Sequence, residues 1–192
     1  ARKLVKQLEE AEKENKVQLS ELEPGEVFKI GEHDFIVLEQ GIVQTKVISK
    51  DFMAENVVFD KDTRDYNKSN LKKVIEEEIQ PIIENAVGED NVVEHCVDLI
   101  SVDMQREFDN CKCKVRPITF DEAREYNDLI VNEDLDDWLW TCTPWSTEAR
   151  GLKYSISVVA ASGVISSFDC DGSCGVRPFC ILKSNIFVSK GE

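Results

Sequence analysis

Residues 136–182, DDWLWTCTPWSTEARGLKYSISVVAASGVISSFDCDGSCGVRPFCIL, carry all three tryptophans and four of the seven cysteines, and their punctuation decides the fold. The short apolar runs WLW, YSISVVA, GVISSF and GVRPFCIL are separated by Pro144, by Ala161-Ser162-Gly163 and by Asp171-Gly172-Ser173. These are turn-forming residues, so the stretch reads as a small antiparallel sheet. Trp138, Trp140 and Trp145 each offer a large apolar area and one N–H donor, which suits either a core that finishes the sheet or a recognition surface.

Working outward, residues 2–22 are strong helix formers, and Leu4, Leu8, Ala11, Asn15, Gln18 and Leu22 alternate steps of four and three. Two readings follow: a coiled-coil seam with Asn15 at an a position, making a homo-oligomer, or a solvated helix packed on its own domain. Pro24-Gly25 ends the helix and marks a boundary between segment 1–23 and a domain spanning 24–192. VFKI, DFIVLEQ and IVQTKVIS then predict a meander. Ser69 caps a helix whose apolar positions run from Leu71 to Ala86, with Pro81 predicted to kink it or to start a second helix. Residues 91–100, NVVEHCVDLI, predict a strand, and Thr119-Phe-Asp-Glu122 has capping-box spacing for a second helix through Val131. Strands, helix, strand, helix and a final sheet make an α+β domain.

The motif W-x-W-x-x-T-P-W-S at Trp138, Trp140, Thr143, Pro144, Trp145 and Ser146 is followed about thirty residues later by Gly175-Val176-Arg177-Pro178. It resembles a bacterial and prophage family of unknown function whose signature is W-W-L-R-S-P, then G-V-R-P. Thr141 and Cys142 stand where that family usually carries Arg and Ser. The resemblance continues in FIVLEQ, SNLKKVIEEEI and VRPITFDEAREY, so it covers nearly everything after Pro24. The family in turn resembles C-type-lectin-like and formylglycine-generating-enzyme-like folds, where a similar strand closes the domain. The resemblance implies a C-type-lectin-like mixed domain with an antiparallel sheet and two helices, of prophage origin.

Acidic residues outnumber basic ones 38 to 23, a net charge of −15. Such a chain lacks the cations that release counterions from phosphates, so direct nucleic-acid binding is not expected. Solubility is the plain role for this charge, and attraction of a basic host protein, including a nucleic-acid-binding defence protein, is the alternative. No apolar stretch resembles a signal peptide or membrane span, which predicts a cytoplasmic location; the prophage resemblance implies that the cell is a bacterial host, or that the protein has a place in a virion. Seven cysteines then read as reduced thiols.

No cofactor, metal or catalytic group is expected. Cys111-Lys-Cys113 and the trio Cys170, Cys174 and Cys180 lack zinc-site spacing. A redox pair of Cys174 and Cys180 is implied only by the formylglycine-type resemblance. Asp169-Cys-Asp171-Gly172 resembles part of a calcium loop without its later ligands, so a turn is the simpler account. His33 and His95 read as structural, and no phosphate-binding glycine loop is present. Trp138 and Arg177 are expected to be structural, Arg177 as a buried ion pair with Asp136 or Asp137. Recognition of a protein or glycan is expected from loops 144–152 and 168–175, with Trp140, Trp145, Arg150, Asp169 and Asp171 as contacts.

Overall fold

The structure is a computed structural model that describes residues 2–191; Ala1, where the expected helical segment begins, and Glu192 lie outside the described residues. α1 (Arg2–Lys13) leads to β1 (Lys16–Gln18), β2 (Val27–Ile30), β3 (His33–Gln40), β4 (Gln44–Ser49) and β5 (Ala54–Val58). α2 (Asn70–Val74), a π turn (Ile75–Ile79) and α3 (Gln80–Val87) form one helical run. β6 (His95–Val97), β7 (Cys111–Cys113) and β8 (Val115–Arg116) precede α4 (Phe120–Glu125) and α5 (Asn127–Ile130). β9 (Leu139–Pro144), β10 (Ser155–Val159), β11 (Ile165–Asp169), β12 (Ser173–Val176), β13 (Phe179–Lys183) and β14 (Phe187–Lys190) complete the chain.

The class is mixed α+β. A seven-stranded sheet has the order β1-β14-β2-β3-β4-β13-β8, a five-stranded sheet the order β11-β10-β9-β12-β5, and β6 pairs with β7 in a ribbon. The pairing is antiparallel except where β12 meets β9. The stretch 136–182 therefore does not form one small sheet. Its strands β9 to β12 belong to the five-stranded sheet, whereas β13 crosses over to pair with β4, Phe179 opposite Ile48. The crossover falls at Arg177-Pro178, where proline has no N–H to continue a ladder.

The N-terminal boundary also moves. Asn15 takes a left-handed conformation, φ 59°, which asparagine tolerates, and the helix ends two residues earlier at Lys13. Asn15 is thus a helix terminator and not a seam residue, and Gln18 and Leu22 lie off the helix. β1 pairs with β14, and Leu19 and Leu22 are buried in the main core, so 16–22 belongs to the domain. On α1 itself only Ala11 is buried, while Leu4, Val5 and Leu8 are exposed.

Other local expectations are met with changes of length. The Ser69 hydroxyl accepts the Lys72 N–H at 3.1 Å and starts the helical run. Pro81 lacks an N–H and its ring would press on the carbonyl four residues back, and the turn before it is widened, with Gln80 N–H bonding Ile75 O. Leu71, Ile75, Ile79 and Ile83 still reach the core. Both halves of the Thr119/Glu122 capping box form, but the helix breaks at Tyr126 instead of running to Val131. There the Tyr126 hydroxyl bonds Glu39. Of the strand predicted over 91–100, His95–Val97 forms β6 and pairs in a ribbon, while Val92 makes an isolated bridge to Leu182.

Alternation along β3 sends Phe35 and Val37 into one core, with Leu71, Ile75 and Trp140, and Ile36 and Leu38 into a second, with Tyr126, Ile130 and Phe179. Each fully buried large side chain contributes about 1.5–3 kcal/mol. Among the described residues no helix is long and apolar enough to cross a membrane.

Candidate functional site

Period-two alternation places Trp138, Trp140 and Cys142 on one face of β9 and its entry, and Leu139 on the other. β9 lies between β10 and β12, so its first-face residues are covered once the core closes. Trp140 is fully buried: its indole N–H donates to Val57 O at 2.7 Å, and its ring meets Phe59 edge-on at 5.6 Å. A surface role for Trp140 is thereby overturned. Trp138, expected in the core, precedes the strand and is 36 % exposed. The two tryptophans exchange roles because one stands inside the ladder and the other at its mouth.

Trp145 is half-buried, edge-on to Phe120 at 6.3 Å. Arg150 is exposed and pairs with Asp103 at 2.8 Å. Asp103 also accepts the Ser101 and Ser146 hydroxyls at 2.5 and 2.6 Å, and these bonds, Ser101 first, hold its carboxyl far below the usual range. Asp169 and Asp171 are exposed on a tight turn closed by Gly172 N–H to Asp169 O at 3.0 Å. Loops 144–152 and 168–175 flank one end of β10, since Trp145 N–H bonds Ser155 O and Cys170 N–H bonds Tyr154 O.

The structure adds a residue that the sequence reading passed over. Phe168 on β11 pairs with Ile156, lies against Trp140 at 5.9 Å, and remains 44 % exposed. A Cβ on Gly172 would overlap its ring, so the turn glycine makes room for the phenyl group. Trp138, Phe168, Val158, Ser166, Ser173 and Asp137 line a groove of about 220 Å³. Two aromatic faces thus sit beside serine hydroxyls and one carboxylate. The Trp138 carbonyl accepts Gly175 N–H at 2.8 Å and its N–H donates to Asp137 at 2.7 Å, which anchors the backbone under the indole. The signal in the sequence was the period-two set Val164, Ser166 and Phe168, which puts the phenyl on one face.

Two wider clefts, about 540 and 500 Å³, differ in their charges: the first is lined by Glu89, Asp90, Glu94, Lys183 and Lys114, the last of which reaches out to Glu84, whereas in the second Arg116 pairs with Glu122 and Arg124 with Asp121. His95 belongs to this latter network, its Nε2 accepting Arg116 Nε at 2.9 Å. Burial, then the Arg116 cation, holds its pKa below the usual imidazole value.

Arg177 is buried as expected, but its partners differ. Nε donates to Ser49 O at 2.9 Å and Nη1 to Ile130 O at 2.6 Å, while Nη2 has no hydrogen-bond partner. At the crossover between sheets the guanidinium meets the ends of β4 and α5, whose terminal carbonyls are unused acceptors. Asp136 and Asp137 are not its partners; burial lowers its pKa and Asp51 is the charge that opposes this.

All seven cysteines are free and only Cys96 is exposed. Burial pushes the Cys174 and Cys180 thiols up to about 12, so both are protonated at neutral pH. Among the described residues no three His, Cys, Asp or Glu side chains are grouped to hold a metal.

Fold and groove together define a mixed α+β protein with an aromatic cleft at one sheet edge. The chain matches no protein-family model, and neither curated proteins nor solved structures show a match to it.

Proposed function

We propose that this chain is a non-enzymatic binding module of the C-type-lectin-like kind, of prophage origin as the motif resemblance implies, acting in a bacterial host cell or a virion. Its protein or glycan ligand is seated between Trp138 and Phe168. One observation carries this reading: two large aromatic side chains stay partly exposed in one groove, Trp138 at the entry to β9 and Phe168 on β11, with hydroxyls and a carboxylate at the rim. Ligand sites combine apolar faces with a few convergent polar groups in this way. The lectin-like reading draws support from β12, which ends at Val176 and passes through Arg177-Pro178 into β13 near the C-terminus. Trp145, Arg150, Asp169 and Asp171 belong to the surrounding loops and supply secondary contacts.

The test uses two probes, a glycan microarray and phage-displayed random 12-residue peptides, against the wild-type chain, Trp138→Ala and Phe168→Ala. Ligands retained by the wild type should lose at least tenfold in affinity in both variants, with melting temperatures within a few degrees. Equal binding by all three proteins rejects the groove.

A further inference from the structure

The groove runs along a strand whose far side is open. β11 is the last strand of the five-stranded sheet, and among the described residues it pairs only with β10. In an antiparallel ladder, residues alternate between those that bond their neighbour and those that turn N–H and C=O away from it. The phase here is set by two bonds at the ends of the hairpin: Ala160 N–H to Val164 O at 2.8 Å, and Cys170 N–H to Tyr154 O at 2.7 Å. Counting in steps of two from either bond, with Val158 opposite Ser166 and Ile156 opposite Phe168, gives the same answer. Ser166 and Phe168 bond inward. Ser167 and Asp169 turn their backbone groups outward, on a segment that is exposed.

An unprotected edge is a template for another strand. Proteins commonly blunt such edges with lysine or proline, and β11, ISSFD, has neither. Its side chains are instead a phenyl group leaning into the groove and an exposed carboxylate. Asp169 ends this edge strand, Asp171 follows it in the turn and Asp137 lines the adjoining groove, while Arg150 is paired with Asp103 and Lys153 with Glu148.

We propose that the edge of β11 takes an extended basic peptide segment of a partner protein by strand addition, with Ser167 as the central backbone contact. Every second peptide residue faces the Trp138–Phe168 groove, and lysine or arginine side chains lie over Asp137, Asp169 and Asp171. Backbone bonds give affinity and alternate side chains give selectivity in this mode. The charge decides between a partner and a second copy. Two chains of net charge −15 repel, whereas a basic segment is attracted. This inference rests on the binding-module reading and names the ligand as polypeptide.

The experiment pans random linear 12-residue peptides on phage against the full chain, then measures the enriched peptides, synthesised, against wild type, Ser167→Ala, Ser167→Pro and Trp138→Ala. Proline at 167 removes an N–H that points away from β10, so the fold should survive. Enriched peptides should be rich in Lys and Arg, weaken at least tenfold with Ser167→Pro, and bind Ser167→Ala as well as wild type. N-methylation scanned along the peptide should abolish binding at alternate residues only, a readout that leaves the protein untouched. If no basic peptide is enriched, or N-methylation is tolerated throughout, strand addition is overturned. Loss with Trp138→Ala but neither with Ser167→Pro nor on N-methylation overturns the strand and keeps the groove. Alternating N-methyl sensitivity with full binding by Trp138→Ala keeps the strand and rejects the groove.

Discussion

Replacing Glu122 by glutamine isolates one charge in an ion pair whose two partners are both buried or nearly so. The side chains of Arg116 and Glu122 are 5 % and 15 % exposed, and they meet through two bonds of 2.7 and 3.0 Å. Glu122 also accepts the Thr119 N–H at 2.8 Å, a bond that glutamine, equally suited to a capping box, can keep. What disappears is the negative charge. Removing one partner of a buried pair costs about 3–5 kcal/mol, because the other charge stays buried without compensation. Arg116 retains His95 Nε2 at 2.9 Å, Pro117 O at 3.0 Å and the Phe179 ring at 4.1 Å, which places the expected loss at the lower end. A destabilisation of about 3 kcal/mol should move the urea midpoint down by about 1 M, for a slope near 3 kcal/mol/M. Burial alone raises the Glu122 carboxyl, but bonding to Arg116 and its charge outweigh this, and the folded pKa lies below the ordinary value. Such a group contributes stability that is present above the unfolded pKa of about 4.3 and is lost as pH falls through the folded pKa. The gap between wild type and Glu122→Gln should therefore close below about pH 4. A loss under about 1 kcal/mol at pH 7, or a gap that is constant down to pH 3, would show that the pair does not hold a buried charge in this way.

The two neighbouring tryptophans should behave oppositely: Trp140→Phe, which leaves Val57 O buried without its donor, should cost about 2–3 kcal/mol, and Trp138→Ala under about 1 kcal/mol. Acrylamide quenching of tryptophan emission should drop when Trp138 is removed and persist in the Trp140 variant. His95 is held neutral by burial and by Arg116, so its folded pKa is depressed. The unfolded chain binds that proton more readily, and stability present above about pH 6.5 is lost as pH falls toward the folded pKa. Chemical denaturation of His95→Gln between pH 7 and pH 5 should show a flatter pH slope than wild type. Leu22→Ala should cost about 2–5 kcal/mol by opening the core, whereas deletion of residues 2–13 should shift the melting temperature by only a few degrees, as measured by circular dichroism.

Much of the groove and its surroundings was hidden from a linear reading. Phe168 sits in a serine-rich run, and only the pairing with Ile156 and the gap at Gly172 show that its ring is half-covered and fixed. Trp138 and Trp140 are chemically identical two residues apart, and their fates depend on which strands flank β9. For Arg177 the local pattern showed burial, but the acceptors Ser49 and Ile130 are 128 and 47 residues away in sequence.

Local devices were readable from neighbouring residues alone: the Ser69 cap, the Thr119–Glu122 capping box, the disturbance before Pro81, the three strands of the meander and the Asp169–Gly172 turn. Each depends on bonds or steric limits within a few residues, which composition and spacing express directly. The division of the strands between two sheets, the closing of the first sheet by residues 16–22 and the open edge of β11 came from long-range pairing. Those outcomes turn on which distant strands hydrogen-bond together, and backbone N–H and C=O groups are alike in every residue but proline, so the spacing of residues within one strand does not name its partner.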